Sequence, residues 1–111
     1  MKRKAPAHLE PSTRRWFESV LADYDVEPHH VRLLQLACEA WDRGQAARRA
    51  LAAAKEMVYS DRFGSVRPRP EIAIERDARL AFARLLRELA LDVEVPAESR
   101  PPLIGGRREK R

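Results

Sequence analysis

The chain has 111 residues, of which 35% are charged, with a net charge of +5 and one cysteine. A chain this short builds one small core and buries little surface unless copies of it associate. Cys38 alone excludes an intrachain disulfide, and no run is apolar enough for a membrane span or a signal core, so a soluble, intracellular protein is expected.

The positive charge is concentrated at the ends. Lys2, Arg3 and Lys4 open the chain, and Arg100, Arg107, Arg108, Lys110 and Arg111 close it against Glu109, which leaves the body between them slightly acidic. Tails of this kind suit a polyanion, nucleic acid first and an anionic membrane surface second, with plain solubility as the alternative.

Residues 1–11 carry charge, two prolines and no apolar periodicity, and are expected to form a flexible basic arm. A helical core is expected over 12–92, followed by an extended basic tail over 93–111. Ser12 is a candidate N-cap for a first helix from Thr13 to about Asp25, in which Trp16, Phe17, Val20, Leu21 and Tyr24 share one face. Arg14 and Arg15 stand in its first turn, where cations oppose the helix dipole and an anionic partner would relieve them.

Pro28 suits the first position of a second, long helix running to about Glu56. Val31, Leu34, Cys38, Trp41 and Gln45 lie along one stripe of it. Its second half, 45–55, is rich in alanine, which allows close helix approach and makes it a candidate subunit contact, although alanine is also the best helix former. Met57 to Ser60 and Ser65 to Arg67 favour strand around Asp61-Arg62-Phe63-Gly64, so a two-stranded hairpin is expected, with Gly64 supplying a positive φ. An isolated hairpin is marginal in water and needs helices or a neighbouring subunit to lean on.

Pro70 can start a third helix, to about Leu91, with Ile74, Ala78, Ala81, Phe82, Leu85 and Leu89 on one stripe. Its early Glu71, Glu75 and Asp77 and late Arg84 and Arg87 agree with the dipole. The fold class is therefore mainly α: a three-helix core with a long central helix, a small β-hairpin between helices two and three, and flexible basic termini.

In order, a bihelical front, a hairpin with Asp-x-x-Gly at its turn, a proline-led helix and the exit Leu89-Ala90-Leu91 before Pro96 and Ser99-Arg100 resemble the small subunit of phage terminases, the DNA-packaging adaptor of tailed phages. The likeness covers roughly Leu9 to Arg100. It departs at Ala90, where glycine is common in the family, and at Arg69, where asparagine is common before the proline. The resemblance implies a non-enzymatic subunit in the bacterial host cytoplasm that assembles into homo-oligomeric rings. Such a subunit binds double-stranded viral DNA near the packaging start and regulates the large terminase subunit, which carries the ATPase and nuclease.

The cations available for phosphate are Lys2, Arg3, Lys4, Arg107, Arg108, Lys110 and Arg111 in the tails, Arg14 and Arg15 on the first helix, and Arg62, Arg67 and Arg69 around the hairpin. The apolar candidates for contacts between copies are Trp41, Leu51, Tyr59, Phe63, Val66 and Leu85. Catalytic chemistry finds little support. Adjacent His29 and His30 diverge by about 100° on a helix and cannot chelate one metal. Glu71, Glu75 and Asp77 alternate with Arg76 and Arg79, as a solvated salt-bridged face does. No serine has a nucleophile-elbow context, and Gly105-Gly106 is no phosphate loop. No catalytic residue, metal or cofactor is expected. The competing reading is a small helix-turn-helix DNA-binding regulator, and a metal-dependent nuclease is the least supported.

Overall fold

The computed structural model describes residues 4–90. Its elements in chain order are α1 (Pro11–Asp23), α2 (Pro28–Ala54), β1 (Val58–Ser60), β2 (Val66–Pro68) and α3 (Pro70–Leu89). The mainly α fold, with a long central helix and a hairpin between the second and third helices, is the one expected. Among the described residues no helix is long and apolar enough to cross a membrane. The expected basic tail and residues 1–3 lie outside the described residues.

All three helices begin with proline at the first helical position. Proline's fixed φ matches the helix and its missing N–H would have no partner there. This corrects the expected start of α1: Glu10, not Ser12, is the cap residue, it makes no side-chain cap bond, and Ser12 lies inside the first turn. At the other ends, Lys55 (φ 67°) and Ala90 (φ 54°) close α2 and α3 in the left-handed region. The position where the family resemblance expects glycine thus has the backbone that favours glycine.

The α2 and α3 helices pack antiparallel along most of their length, while α1 lies against the amino-terminal half of α2. The seam between α2 and α3 is lined by small side chains. A methyl group placed on Gly44 would stand 3.3 Å from the Ala78 Cβ. Ala40, Ala47 and Ala78 are buried beside it, so part of the alanine-rich stretch expected to face other subunits is used inside the chain. The core proper joins Leu9, Phe17, Val20, Leu34, Cys38 and Leu89.

Leu9 overturns the expectation of a mobile arm for residues 4–10. Its side chain is 3% exposed and fills the core beside Phe17 and Leu34. Polar bonds hold the segment around it. His8 Nε2 lies 2.8 Å from Glu39 Oε2, the Glu10 amide donates to Asp42 Oδ2 at 2.9 Å, and the Ala5 amide donates to Glu18 Oε2 at 3.0 Å. One apolar residue among charges and prolines shows no period, which is why the sequence pattern misses it.

Candidate nucleic-acid interface

The hairpin is built by its turn. The Asp61 amide donates to the Ser65 carbonyl at 2.9 Å and the Gly64 amide donates to the Asp61 carbonyl at 3.0 Å, with Gly64 at φ 81°. Asp61 Oδ1 accepts the Phe63 and Ser65 amides, both at 2.9 Å, and Oδ2 accepts Arg67 Nε at 2.7 Å. The Arg67 guanidinium, together with the Ser65 and Phe63 amides, holds the Asp61 carboxyl below its ordinary range. Sequence reasoning placed Asp61 in the turn but missed that its side chain organises it.

The register pairs Val58 with Pro68, Tyr59 with Arg67 and Ser60 with Val66. Directly opposed residues share a face. One face therefore carries Val58, Val66 and Pro68, and the other carries Tyr59 and Arg67. Every strand residue is exposed, and neither strand packs extensively on a helix. The hairpin projects from the helical body.

The structure sorts the cations. Arg62 lies over the Phe63 ring at 5.1 Å, Arg67 is paired with Asp61, and Arg69 donates from Nε to the Glu56 carbonyl at 2.9 Å, so three arginines gather on one small projection. With Lys55 against Glu56 and Asp61, this projection carries the net positive charge of the described residues, since 4–54 and 70–90 each balance. Arg15 is exposed on α1 and makes no bond among the described residues, and Lys4 is also exposed. Arg14 has another role. Its Nη1 donates to the Ala7 and Leu9 carbonyls at 3.0 and 3.1 Å, which ties the amino-terminal segment down. Lys2, Arg3, Arg107, Arg108, Lys110 and Arg111 lie outside the described residues.

Arg15 and the hairpin form two groups. The α1 segment meets α2 near Asp42, and the hairpin leaves α2 after Ala54, a separation of about 18 Å along the helix at 1.5 Å per residue. That span is roughly half a turn of duplex, at 3.4 Å per base pair.

No family model, no curated protein and no solved structure matches the chain.

Two of the three acidic side chains weighed for metal binding are engaged elsewhere, while Glu71 Oε1 is buried with no hydrogen-bond partner among the described residues. Glu75 accepts from Arg48 at 2.9 Å and from Arg79 at 3.4 Å, and these guanidinium groups lower its pKa. Asp77 pairs with Arg76 at 3.3 Å. Among the described residues no group of three His, Cys, Asp or Glu side chains is placed to hold a metal ion. The His29 and His30 rings lie tilted against each other, centroids 4.2 Å apart, at the start of α2. Of the apolar candidates for contacts between copies, Trp41, Tyr59, Phe63 and Val66 are exposed, whereas Leu51 and Leu85 are half-buried.

Proposed function

We propose that the chain is a terminase small subunit. It would bind viral duplex DNA at the packaging start as a homo-oligomer in the bacterial host cytoplasm, and regulate the large subunit's ATPase and nuclease without being an enzyme itself. The observation that carries the DNA-binding part is the projecting hairpin, which gathers Arg62, Arg67 and Arg69 with no helix covering its faces. The order of elements, with a hairpin between a long helix and a proline-led helix, supports the family. Each subunit presents only a few phosphate contacts. Repeating them around an assembly converts a weak, salt-sensitive attraction into a firm hold.

The regulator reading has less support. A recognition helix offers its exposed residues to a groove, whereas α2 runs 27 residues and packs along α3.

Fluorescence anisotropy with a labelled duplex between about 50 and 200 mM salt tests the proposal, because each phosphate contact contributes about 0.9 to the log–log slope. Arg15→Glu combined with Arg69→Glu is expected to weaken binding and reduce the slope by about two. Wild-type protein that binds no duplex at low salt, or a slope untouched by the double variant, refutes the assignment of these arginines.

A further inference from the structure

Phe63 is 80% exposed, more than any other large apolar residue among those described. It sits in the Asp61–Gly64 turn at the hairpin tip, where the Gly64 amide closes on the Asp61 carbonyl at 3.0 Å. The arm that carries it is braced at both ends. At the tip, Asp61 Oδ1 accepts the Phe63 and Ser65 amides and Oδ2 accepts Arg67. At the base, Arg69 donates from its amide to the Met57 carbonyl and from Nε to the Glu56 carbonyl, both at 2.9 Å. A methyl group placed on Gly64 would meet no atom within 4 Å, so the tip opens on solvent. The ring therefore stands at the end of a stiff arm, whose backbone has little freedom left to lose on binding.

Charge decides what such a ring can meet. Asp61 and Arg67 neutralise each other at 2.7 Å, which leaves Arg62, 5.1 Å from the ring centroid, as the uncompensated cation of the tip. An apolar protein pocket that took the ring would desolvate this guanidinium with it, and a charge removed from water without a partner is costly. Nucleic acid offers a stacking face and a phosphate at every nucleotide. The other apolar opening is a groove of about 410 Å³ between the helices, lined by Ser12, Thr13, Trp16, Trp41, Phe82 and Leu86, and it has no charged side chain in its wall to select an occupant.

We propose that Phe63 is a wedge that enters between two base pairs of the bound duplex and unstacks them, while Arg62 takes a flanking phosphate. This rests on the DNA-binding part of the function proposed above and adds how the hairpin engages the duplex. The arm is long enough: each strand has three residues, about 10 Å at ~3.3 Å per residue, against a groove depth of roughly 8 Å. An apolar side chain inserted at a base step kinks the duplex, and the unstacking costs least at pyrimidine–purine steps such as TA and CA. The wedge therefore confers a preference for sites that contain such a step, with no hydrogen bond to a base edge.

The test titrates the full chain into a short duplex that carries 2-aminopurine at a central TA step and reads the emission of that base, which rises when it unstacks. Wild type at saturation is expected to raise the emission several-fold, and to bind this duplex more tightly than one in which a stiff A-tract replaces the TA step. Phe63→Ala, its helicity checked by circular dichroism, is expected to lose both the rise and the preference while keeping the salt slope, because the phosphate contacts remain. Phe63→Leu, still an apolar wedge, is expected to restore part of the rise. Wild type that binds duplex with no rise, or Phe63→Ala with the wild-type rise, overturns the proposal. So does a Phe63→Ala protein that binds duplex as wild type does but has a smaller mass by light scattering, which would give the ring to a contact between copies. Wild type that binds no duplex at low salt would bring down the DNA-binding reading and the wedge with it, an outcome distinct from failure of the wedge alone.

Discussion

Replacing Leu9 with alanine separates a docked amino-terminal segment from a mobile one. The side chain is 3% exposed and touches a cluster that includes Phe17, Leu34 and Leu89. Removing such a leucine from a core destabilises by about 2–5 kcal/mol, from lost transfer free energy plus the residual cavity. Leu9 differs from an interior helical residue because its segment can undock while the helices remain folded. The loss is then capped by the free energy of docking, and a figure near 2 kcal/mol is expected, against about 3–5 kcal/mol for Leu34→Ala at 0% exposure. For a domain of this size each kcal/mol lowers Tm by roughly 4–8 °C. Urea melts at one fixed protein concentration give the two values, since association would shift both. Amide exchange supplies the second readout: the Leu9 and Glu10 amides, bonded to the Pro6 carbonyl and to Asp42, are expected to lose protection in Leu9→Ala ahead of those inside α2. A Leu9→Ala protein within about 0.5 kcal/mol of wild type, with unchanged exchange, would show that residues 4–10 do not dock.

Gly44→Leu, at a seam where even a methyl group meets the Ala78 Cβ at 3.3 Å, is expected to lower stability by about 1–3 kcal/mol by overpacking, read by thermal melting. Ala90→Gly is expected to raise stability by about 0.5–1 kcal/mol: it relieves a left-handed alanine at φ 54°, partly offset by the greater freedom of glycine in the unfolded chain. Melts showing no gain would place that strain elsewhere. Glu39 has its pKa lowered by bonds from Gln35 and His8. A carboxyl depressed in the folded state contributes stability that is present above its unfolded pKa, near 4.5, and is lost as pH falls through the folded value. Glu39→Gln should therefore flatten the fall in stability between wild-type melts at pH 6 and pH 3. Burial, with Asp42 and Glu39 adding to it, pushes the Cys38 thiol up to about 12, so a thiol reagent at pH 8 should label it only as fast as the helices open. Labelling at the rate of a free thiol would contradict its burial.

The helices and the hairpin were legible because each leaves a local pattern: a stripe every three or four residues, prolines at helix starts, and glycine where φ turns positive. Gly64 and Pro70 stand where that logic puts them. What was not legible depends on groups far apart in the chain. Leu9 is one apolar residue whose partners include residues of all three helices. Arg14 resembles a surface cation until the Ala7 and Leu9 carbonyls are placed beside it. Ser12 had the right side chain for a cap, but Pro11 before it takes the first helical position and draws the start two residues earlier. The groove was hidden for a similar reason: Trp16, Trp41 and Phe82 each sit on a stripe that reads as interior, and only the packing shows that these stripes converge at an open edge.

The narrow seam between α2 and α3 has a mechanical corollary. Where Gly44 faces Ala78 the two axes are drawn together, and two large rings cannot occupy a gap that leaves so little room for a methyl group. Trp41 and Phe82, the first bulky pair beyond that pinch, stack on its flank instead of between the helices. The pinch thus works as a spacer that sets how far the rings stand out. Prising the helices apart would let those rings sink inward and flatten the recess, so a change made wholly within the seam would reach the outer surface without altering a single residue there.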